Sequence, residues 1–218
     1  MGYFITFEGV EGCGKTTQIR LLEERLLTLG FDTVLTREPG GCPIADKIRT
    51  ILLDAENRAM SPLTELMLYG AARAQHVSEV IIPALGAGKI VLCDRFCDAT
   101  VAYQSFGRGL DRALINSLNL QACQGITPDL TVLIDCDPVI GLARARSRIE
   151  ACNGPREERF ELEELAFHQR VRNGYRQLAV DSPERFMTVD GSQSVEQLFS
   201  AISGQLGPRI PECRHAVC

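Results

Sequence analysis

Residues 9–16 read GVEGCGKT and match the pattern G-x-x-x-x-G-K-[ST]. The apolar run Tyr3–Phe7 precedes this stretch, and the helical pattern Gln18–Leu29 follows it. A buried strand that ends in a glycine-rich turn and opens a helix directs successive backbone N–H groups, and the positive end of the helix dipole, at one point. The ammonium of Lys15 adds a charge for the same phosphate, and Thr16 is placed to offer its hydroxyl to Mg²⁺. The stretch therefore predicts a nucleoside triphosphate site formed by Gly9, Val10, Glu11, Gly12, Cys13, Gly14, Lys15, Thr16 and Thr17.

Length and composition indicate one globular domain. The chain has 218 residues, of which 45% are hydrophobic and 23% are charged, so it can bury a sizeable core. We expect a single nucleotide-binding domain over residues 1–206, with a small mobile insert. Residues 207–218 contain Pro208 and Pro211 and show no periodicity, which predicts a flexible tail.

Charge and cysteine usage bear on partners and location. The formal net charge of −5 gives no reason to expect binding to nucleic acid or to anionic membranes. The N-terminal residues lead straight into a strand pattern without a basic region, and no stretch reaches the length of a membrane span. The nine cysteines include no C-x-x-C pair, and the three histidines are not spaced as metal ligands. We therefore expect a cytoplasmic protein with reduced thiols and no nucleic-acid or membrane partner.

Short apolar segments alternate with helical patterns along the chain. The strand candidates are Tyr3–Phe7, Thr33–Thr36, Ile90–Cys93, Leu130–Ile134 and Phe186–Val189. The later helix candidates are a helix from Ser61-Pro62 to about Leu85, one over Val139–Ile149, and a last one capped by Ser194 and Gln197. Strands separated by helices imply right-handed parallel crossovers, with the loop-bearing strand at the centre. The pattern predicts a three-layer α/β fold of the P-loop NTPase class, a five-stranded parallel sheet flanked by helices.

Two further polar motifs follow strand candidates. Asp94-Arg95 comes after the third strand, and Arg37 comes after the second. In a parallel sheet, ligands collect at the carboxyl ends of the strands. Asp94 can therefore join Thr16 around Mg²⁺, and each arginine can hold a phosphate with two parallel hydrogen bonds. Two arginines on neighbouring strand ends predict a second phosphate that faces the first, although either one alone would be ordinary surface charge.

Several motifs occur in an order that resembles the thymidylate kinase (dTMP kinase) family. They are FEGVEGCGKTT, TREPGG, AARAQH, DRF, AYQSFGRG and the arginine-rich stretch near Arg148–Arg159. The resemblance runs from Tyr3 to about Leu206, and it makes residues 1–206 a nucleoside monophosphate kinase domain. It implies the reaction of ATP with dTMP to give ADP and dTDP, with Mg²⁺, in dTTP synthesis. It also implies a homodimer.

The resemblance assigns roles at the dTMP phosphate and base. Arg37 and Arg95 resemble the arginines that hold the 5′-phosphate, and Arg73 resembles the one that donates to thymine O4. Thr100 lies where a polar residue commonly reads the pyrimidine ring. Tyr69 occupies a position where the family usually has a phenylalanine that stacks on the base, and a tyrosine still offers an aromatic face.

At the sugar, Tyr103 resembles the residue that packs where a 2′-hydroxyl would lie, which implies a preference for deoxyribose. Gln104 lies beside it, and Glu11 occupies the acidic position associated with the 3′-hydroxyl. The complete dTMP site implied by the resemblance is Glu11, Arg37, Tyr69, Arg73, Arg95, Thr100, Tyr103 and Gln104.

The arginines that complete the reaction are expected in a lid over about residues 144–160. One branch of the family has an arginine in the phosphate loop, at the position that is Gly12 here. This chain instead resembles the bacterial members, which carry lid arginines, here Arg144, Arg146, Arg148, Arg156 and Arg159. The segment ERFE around Phe160 resembles the family's acidic-Arg-Ile-Glu signature, with phenylalanine for isoleucine. The resemblance predicts the catalytic residues Lys15, Arg95, Arg148 and Arg159.

Other functions share parts of this pattern. A GTP-dependent switch would normally need an N-K-x-D motif, and no such string occurs. A P-loop nucleotide-binding regulator would not need the second phosphate site formed by Arg37 and Arg95. A kinase for another deoxynucleotide, or for a deoxynucleoside, remains the alternative within the same fold.

Overall fold

The fold was analysed in a computed structural model, which describes residues 2–150, 159–206 and 209. Five parallel strands form one sheet in the order β2-β3-β1-β4-β5, so the loop-bearing strand is central as predicted. The strands are β1 (Tyr3–Glu8), β2 (Thr33–Arg37), β3 (Ile90–Asp94), β4 (Leu130–Asp135) and β5 (Phe186–Asp190). Each strand extends one residue past its apolar run, to a polar residue at the carboxyl edge of the sheet.

Helices connect the strands in the crossovers that the sequence predicts. They are α1 (Lys15–Thr28), α2 (Pro43–Leu53), α3 (Pro62–His76), α4 (Ile82–Gly86), α5 (Cys97–Thr100), α6 (Arg112–Cys123), α7 (Pro138–Glu150), α8 (Leu165–Asp181) and α9 (Val195–Leu206). Two π-helical segments, Val77–Ile81 and Val101–Gly107, continue α3 into α4 and extend α5. The predicted helix from Pro62 to about Leu85 is therefore one continuous helix that contains a π-helical segment. Bounds for α2, α5, α6 and α8 were not predicted from the sequence.

The predicted helix caps are present. The Ser61 hydroxyl accepts a hydrogen bond from the Thr64 backbone N–H at 3.2 Å, with Pro62 at the first helical position. Ser194 and Gln197 form the reciprocal capping box before α9, with side-chain to backbone distances of 3.1 and 3.2 Å. These local signals end the connecting loops where the sequence predicts.

The central strand divides the core into two layers. Ile5 and Phe7 of β1 pack into one buried cluster, whereas Phe4, which points to the opposite face, packs with Phe96 in another. Successive strand side chains alternate between faces, so helices must cover both sides of a sheet whose central strand is apolar on both. The predicted three-layer arrangement is confirmed.

Parts of the lid and tail lie outside the described residues. The predicted lid interval 144–160 includes residues 151–158, and the predicted tail 207–218 is described only at Arg209. The proposed lid motion and the flexible tail stay predictions. Within the described parts of the chain, no helix is long and apolar enough to cross a membrane.

Candidate active site

The phosphate loop lies between β1 and α1, as the sequence predicts. The backbone at Gly14 has φ 102°, a left-handed conformation that favours glycine and turns the chain into the first residue of α1. The ammonium of Lys15 donates to the carbonyl oxygens of Gly9 and Val10, both at 3.0 Å. A cation thus lies within the loop, next to the N-terminus of a long helix, where an anionic phosphate is stabilised.

The loop is packed directly against the start of α7. A Cβ atom at Gly12 would overlap the carbonyl oxygen of Gly141, and Gly12 also has a left-handed φ of 66°. A Cβ at Gly141 would in turn overlap the carbonyl oxygen of Glu11. The contact is therefore backbone against backbone, and no side chain can be placed at position 12 without moving α7.

The two predicted magnesium ligands lie side by side. The Thr16 hydroxyl donates to Oδ2 of Asp94 at 2.8 Å, because β3 pairs with β1 and brings its last residue beside the first turn of α1. A hydroxyl and a carboxylate are oxygen donors of the kind that Mg²⁺ takes alongside waters and substrate phosphates. Among the described residues, no group of three or more His, Cys, Asp or Glu side chains forms a separate metal site.

Arg95 is held in a strained turn beyond β3. Its φ is 71°, which costs about 1–3 kcal/mol for a residue other than glycine. Its guanidinium donates to Oε1 of Glu11 at 3.1 Å and to the Tyr175 hydroxyl at 3.0 Å, and it lies 4.8 Å from the centre of the Tyr103 ring. Arg95 therefore lies over the phosphate loop, within reach of a second phosphate in the cleft.

Glu8 holds this turn in place, which the sequence analysis did not anticipate. Its carboxylate accepts from the Phe96 backbone N–H at 2.7 Å and from the Tyr175 hydroxyl at 2.8 Å. Burial and the neighbouring charge of Asp98 raise the pKa of Glu8 to about 8, against the opposing effect of Arg95. The backbone bond to Phe96 fixes the residue after Arg95, so Glu8 supports the strained conformation.

Arg73 is almost entirely enclosed, with 1% of its surface exposed. Its guanidinium donates to Glu38 at 2.7 Å, to Asn119 at 2.7 Å and to the Thr100 hydroxyl at 2.9 Å. These bonds fix the plane of the guanidinium, and Arg73 and Thr100 line one cleft together with Tyr69. The sequence analysis missed Glu38 and Asn119, although Glu38 lies within the TREPGG motif.

One cleft of about 1910 Å³ brings the predicted substrate residues together. The predicted residues that line it are Glu11, Gly12, Cys13, Gly14, Lys15, Thr16, Thr17, Arg37, Tyr69, Arg73, Asp94, Arg95, Thr100, Tyr103 and Gln104. Gly9 and Val10 lie behind this surface, where their carbonyls hold Lys15. The phosphate loop and the predicted second phosphate site thus share one cavity.

The sugar-side residues are tied to neighbouring elements. The Tyr103 hydroxyl donates to Oε1 of Glu11, and its ring meets Phe160 edge-on at 5.4 Å between centres. Gln104 donates to Oε1 of Glu65 at 2.9 Å, which leaves its own oxygen available as an acceptor. Tyr103 is therefore held from both ends, by the phosphate loop at its hydroxyl and by Phe160 at its ring.

The predicted lid arginines are placed differently from one another. Arg159 is 6% exposed, and it donates to Glu65 at 2.6 Å and to the Leu52 carbonyl. It is not among the residues that line the cleft, whereas Arg144 is. Arg148 lies on α7, and its side chain and all of Arg156 are outside the described residues. The catalytic roles of Arg148 and Arg159 stay predictions, and the geometry adds Arg144 as a candidate.

Comparisons with known proteins identify the family of the chain. The family model for thymidylate kinase matches residues 7–202. The chain belongs to the thymidylate kinase family. A thymidylate kinase of Pelobacter propionicus is 64% identical over 218 residues, with 100% of both chains covered. One from Geobacter sulfurreducens is 59% identical over 211 residues, which cover 97% of this chain and 99% of that one.

A solved structure has the same architecture. The crystal structure of thymidylate kinase from Ehrlichia chaffeensis has a TM-score of 0.76 and 33% identity to this chain. The superposition covers 94% of this chain and 98% of that one. The family's fold therefore extends over nearly all of this sequence.

Within this family frame, Arg49 and Phe160 are among the cleft residues that were not predicted. Arg49 of α2 lines the cleft and donates to the Pro39 carbonyl at 3.0 Å. In the sequence, Arg49 could have been noticed as a second arginine, in the helix that follows the TREPGG motif. Phe160 also lines the cleft, and its ring lies 6.5 Å from that of Tyr69. The departure from isoleucine at this position therefore places an aromatic ring at the substrate site.

Proposed function

We propose that the chain transfers the γ-phosphoryl group of ATP to the 5′-phosphate of dTMP, giving ADP and dTDP in dTTP synthesis. One observation carries this proposal above the others. The phosphate loop around Lys15 and the enclosed polar pocket around Arg73 open into the same cleft, with Arg95 between them. This geometry suits two nucleotides placed phosphate to phosphate, and a simple nucleotide switch would need only the first site.

The donor side is the phosphate loop. Its backbone N–H groups, Lys15 and the N-terminus of α1 are proposed to hold the β- and γ-phosphates of ATP. Thr16 and Asp94 would hold Mg²⁺, which when bound neutralises charge on those phosphates.

The acceptor side explains recognition of a thymine deoxynucleotide. Arg73, fixed by Glu38 and Asn119, presents a rigid donor to a carbonyl oxygen on the base. Tyr69 is proposed to offer an aromatic face to the ring, and Tyr103 is proposed to fill the place that a 2′-hydroxyl would take. Arg37 and Arg95 are proposed to bind the acceptor phosphate, and Glu11 the 3′-hydroxyl of the sugar.

Catalysis on such a site is mostly positioning and charge neutralisation. The reaction moves a phosphoryl group between two oxygens in line, so the protein has little covalent chemistry to perform. Lys15 and Arg95 approach from the floor of the cleft. Because Gly12 cannot carry a side chain, the remaining positive charge is proposed to come from an arginine of the lid.

The acceptor preference provides the direct test of this function. With Mg-ATP, the purified protein is expected to phosphorylate dTMP well above dCMP, dGMP and dAMP, because the Arg73 guanidinium and the Thr100 hydroxyl lie together in the cleft and are proposed to bind the oxygen edge of thymine. A panel of monophosphates and nucleosides, assayed by release of ADP and by product identity, measures this. A purine monophosphate used as well as dTMP would contradict the substrate assignment, and use of deoxynucleosides alone would favour the alternative kinase.

The sugar preference can be tested at Tyr103. Replacing Tyr103 with phenylalanine keeps the ring and should preserve discrimination against the ribonucleotide, whereas alanine should relax it and lower kcat/KM for dTMP. The space that alanine leaves at position 103 is expected to admit the 2′-hydroxyl of the ribonucleotide. The ratio of kcat/KM for dTMP to kcat/KM for the ribonucleotide should then fall by about 10–200-fold. The measurement compares kcat/KM for dTMP and for ribothymidine monophosphate in the parent and both variants. If the alanine variant rejects the ribonucleotide as strongly as the parent does, Tyr103 is not the gate.

The assembly and location are proposed from the resemblance. Apolar side chains on α3 and α6 are exposed, among them Leu63, Met67, Leu114 and Leu120. Exposed apolar groups of this kind on neighbouring helices are compatible with burial in a homodimer. A cytoplasmic location is proposed, like the function, from the resemblance to the thymidylate kinase family.

A further inference from the structure

A buried histidine lies directly behind the phosphate loop. His168 of α8 is fully buried, and its Nδ1 is 3.2 Å from Oε2 of Glu11, which is itself only 9% exposed. The two atoms are within ion-pair distance, although their approach is not aligned for a hydrogen bond. On the other side of the ring, Nε2 lies 3.0 Å from the carbonyl oxygen of Phe160.

The two neighbours of the His168 ring determine its protonation. A carbonyl oxygen only accepts hydrogen bonds, so Nε2 must carry a proton to bond to Phe160. In a neutral ring, Nδ1 would then direct a lone pair at the Glu11 carboxylate in a buried site, which is repulsive. Glu11 is ionised, because the Arg95 guanidinium lies 3.1 Å from its other oxygen and its charge favours the carboxylate form. Only the imidazolium form of His168 satisfies both neighbours.

The pKa of Glu11 agrees with this reading. Burial acts to raise it, but the contacts with His168, Arg95 and Tyr103 outweigh burial and lower the pKa to about 2. The remaining ionisable groups near the pair are Tyr175, which contacts Arg95, and Glu8 beyond it. Thus β1, β3, α8 and the segment Val101–Gly107 each contribute a group to this cluster.

The second buried histidine provides an internal contrast. His76 has Nδ1 at 3.0 Å from Glu38 and Nε2 at 2.7 Å from the Thr36 hydroxyl. A hydroxyl can donate as well as accept, so neutral His76 can donate to Glu38 and accept from Thr36. Burial alone therefore does not require a charged ring in this fold, whereas the pair of acceptors around His168 does.

We propose that His168 is a positioning residue: its buried imidazolium fixes the Glu11 carboxylate and offsets its charge, so that Arg95 can leave Glu11 for the acceptor phosphate. The proposal rests on the proposed function, in which Arg95 binds that phosphate. Without a second cation, Glu11 would hold Arg95 and would also repel a phosphate in the loop. The His168 ring also contacts the carbonyl oxygen of Phe160, which comes shortly after residues 151–158 of the predicted lid. His168 therefore connects the end of that interval to the phosphate loop.

The protonation state can be measured without any assay of activity. In the ¹⁵N-labelled protein at about pH 7, both ring nitrogens of His168 are expected to give imidazolium signals. The His168→Gln variant assigns the signal by its loss, and His76 is the comparison within the same spectrum. In Glu11→Gln at the same pH, the His168 ring is expected to be neutral, because the carboxylate charge that favours the imidazolium is gone. A neutral His168 ring in the parent protein at about pH 7 would overturn the proposal.

The kinetic consequence separates positioning from general stability. In His168→Gln, KM for dTMP is expected to rise about tenfold, with kcat within about threefold and KM for ATP unchanged, because the lost effect acts on acceptor binding. In the Glu11→Gln background, the same change should add less than about twofold, since the charge to be offset is gone.

Arg170→Gln is the matched control on the same helix. Arg170 donates to the Gly107 carbonyl at 3.0 Å and does not contact Glu11, so this variant should keep KM for dTMP within about twofold of the parent value. An equal rise in KM for dTMP and ATP in His168→Gln, or an equal effect in Arg170→Gln, would make His168 a packing residue and contradict the proposal. Absence of dTMP turnover in the parent would contradict the proposed function instead, and the spectra would still report on His168.

Discussion

Alanine at Lys15 is expected to lower kcat for dTMP phosphorylation by about 10³-fold or more, with little change in the fold. The ammonium lies in the phosphate loop and donates only to the loop carbonyls of Gly9 and Val10 and to the Cys13 thiol. It therefore supplies a charge for the transferred phosphate and no packing in the apolar core.

The measurement is steady-state kinetics with saturating Mg-ATP, accompanied by thermal unfolding. Lys47→Ala is the control, because Lys47 lies on α2 with an exposed side chain and does not line the cleft. Near-parental turnover in Lys15→Ala, or a loss of folded protein that accounts for the lost activity, would contradict the assignment of Lys15 to the reacting phosphate.

Alanine at one of the two predicted lid arginines, Arg148 or Arg159, is expected to lower kcat by at least about a hundredfold while dTMP affinity is preserved. An arginine that meets charge only in the transition state contributes to kcat and leaves ground-state binding unchanged. At Arg159 the structure adds an expected effect on stability. Arg159 is enclosed against Glu65, so Arg159→Ala should also lower the free energy of unfolding by about 1–3 kcal/mol.

The two variants are compared by kinetics and by denaturant unfolding. Arg148→Lys should restore only part of the kcat lost in Arg148→Ala, since a point charge cannot reproduce the planar fork of a guanidinium. If both alanine variants keep near-parental kcat, neither arginine meets the transition state. Arg144, which lines the cleft and donates to the Gly191 carbonyl at 3.2 Å, then becomes the lid residue to test.

The sequence predicted the parts of this molecule that depend on local patterns. The five strands and the capping box at Ser194 are encoded by neighbouring residues, and the structure confirms them, whereas α1 begins at Lys15, before the predicted helical pattern that starts at Gln18. The motif residues of the cleft could also be predicted, because parallel strands bring their carboxyl ends to one edge. For this reason Thr16 and Asp94, distant in the chain, were predicted to meet and do so.

The supporting residues could not be predicted in the same way. Glu8, Tyr175 and His168 act through contacts of α8 with β1 and with the phosphate loop, and no spacing in the sequence shows which side chains of a long helix face the sheet edge. Charge patterns were equally ambiguous at Arg159. In the sequence, an arginine after the fourth strand that reaches the cleft cannot be distinguished from one that is enclosed against Glu65.

The backbone contact between Gly12 and Gly141 has a consequence for how the family could diversify. An arginine at position 12 would meet α7, so that substitution is blocked for as long as the helix starts where it does. A lineage that moves its arginine from the lid into the loop must therefore displace the helix first, or change both places together. No single substitution converts the arrangement with a lid arginine into the one with a loop arginine without displacing the helix. Each lineage can therefore keep the arrangement that it has.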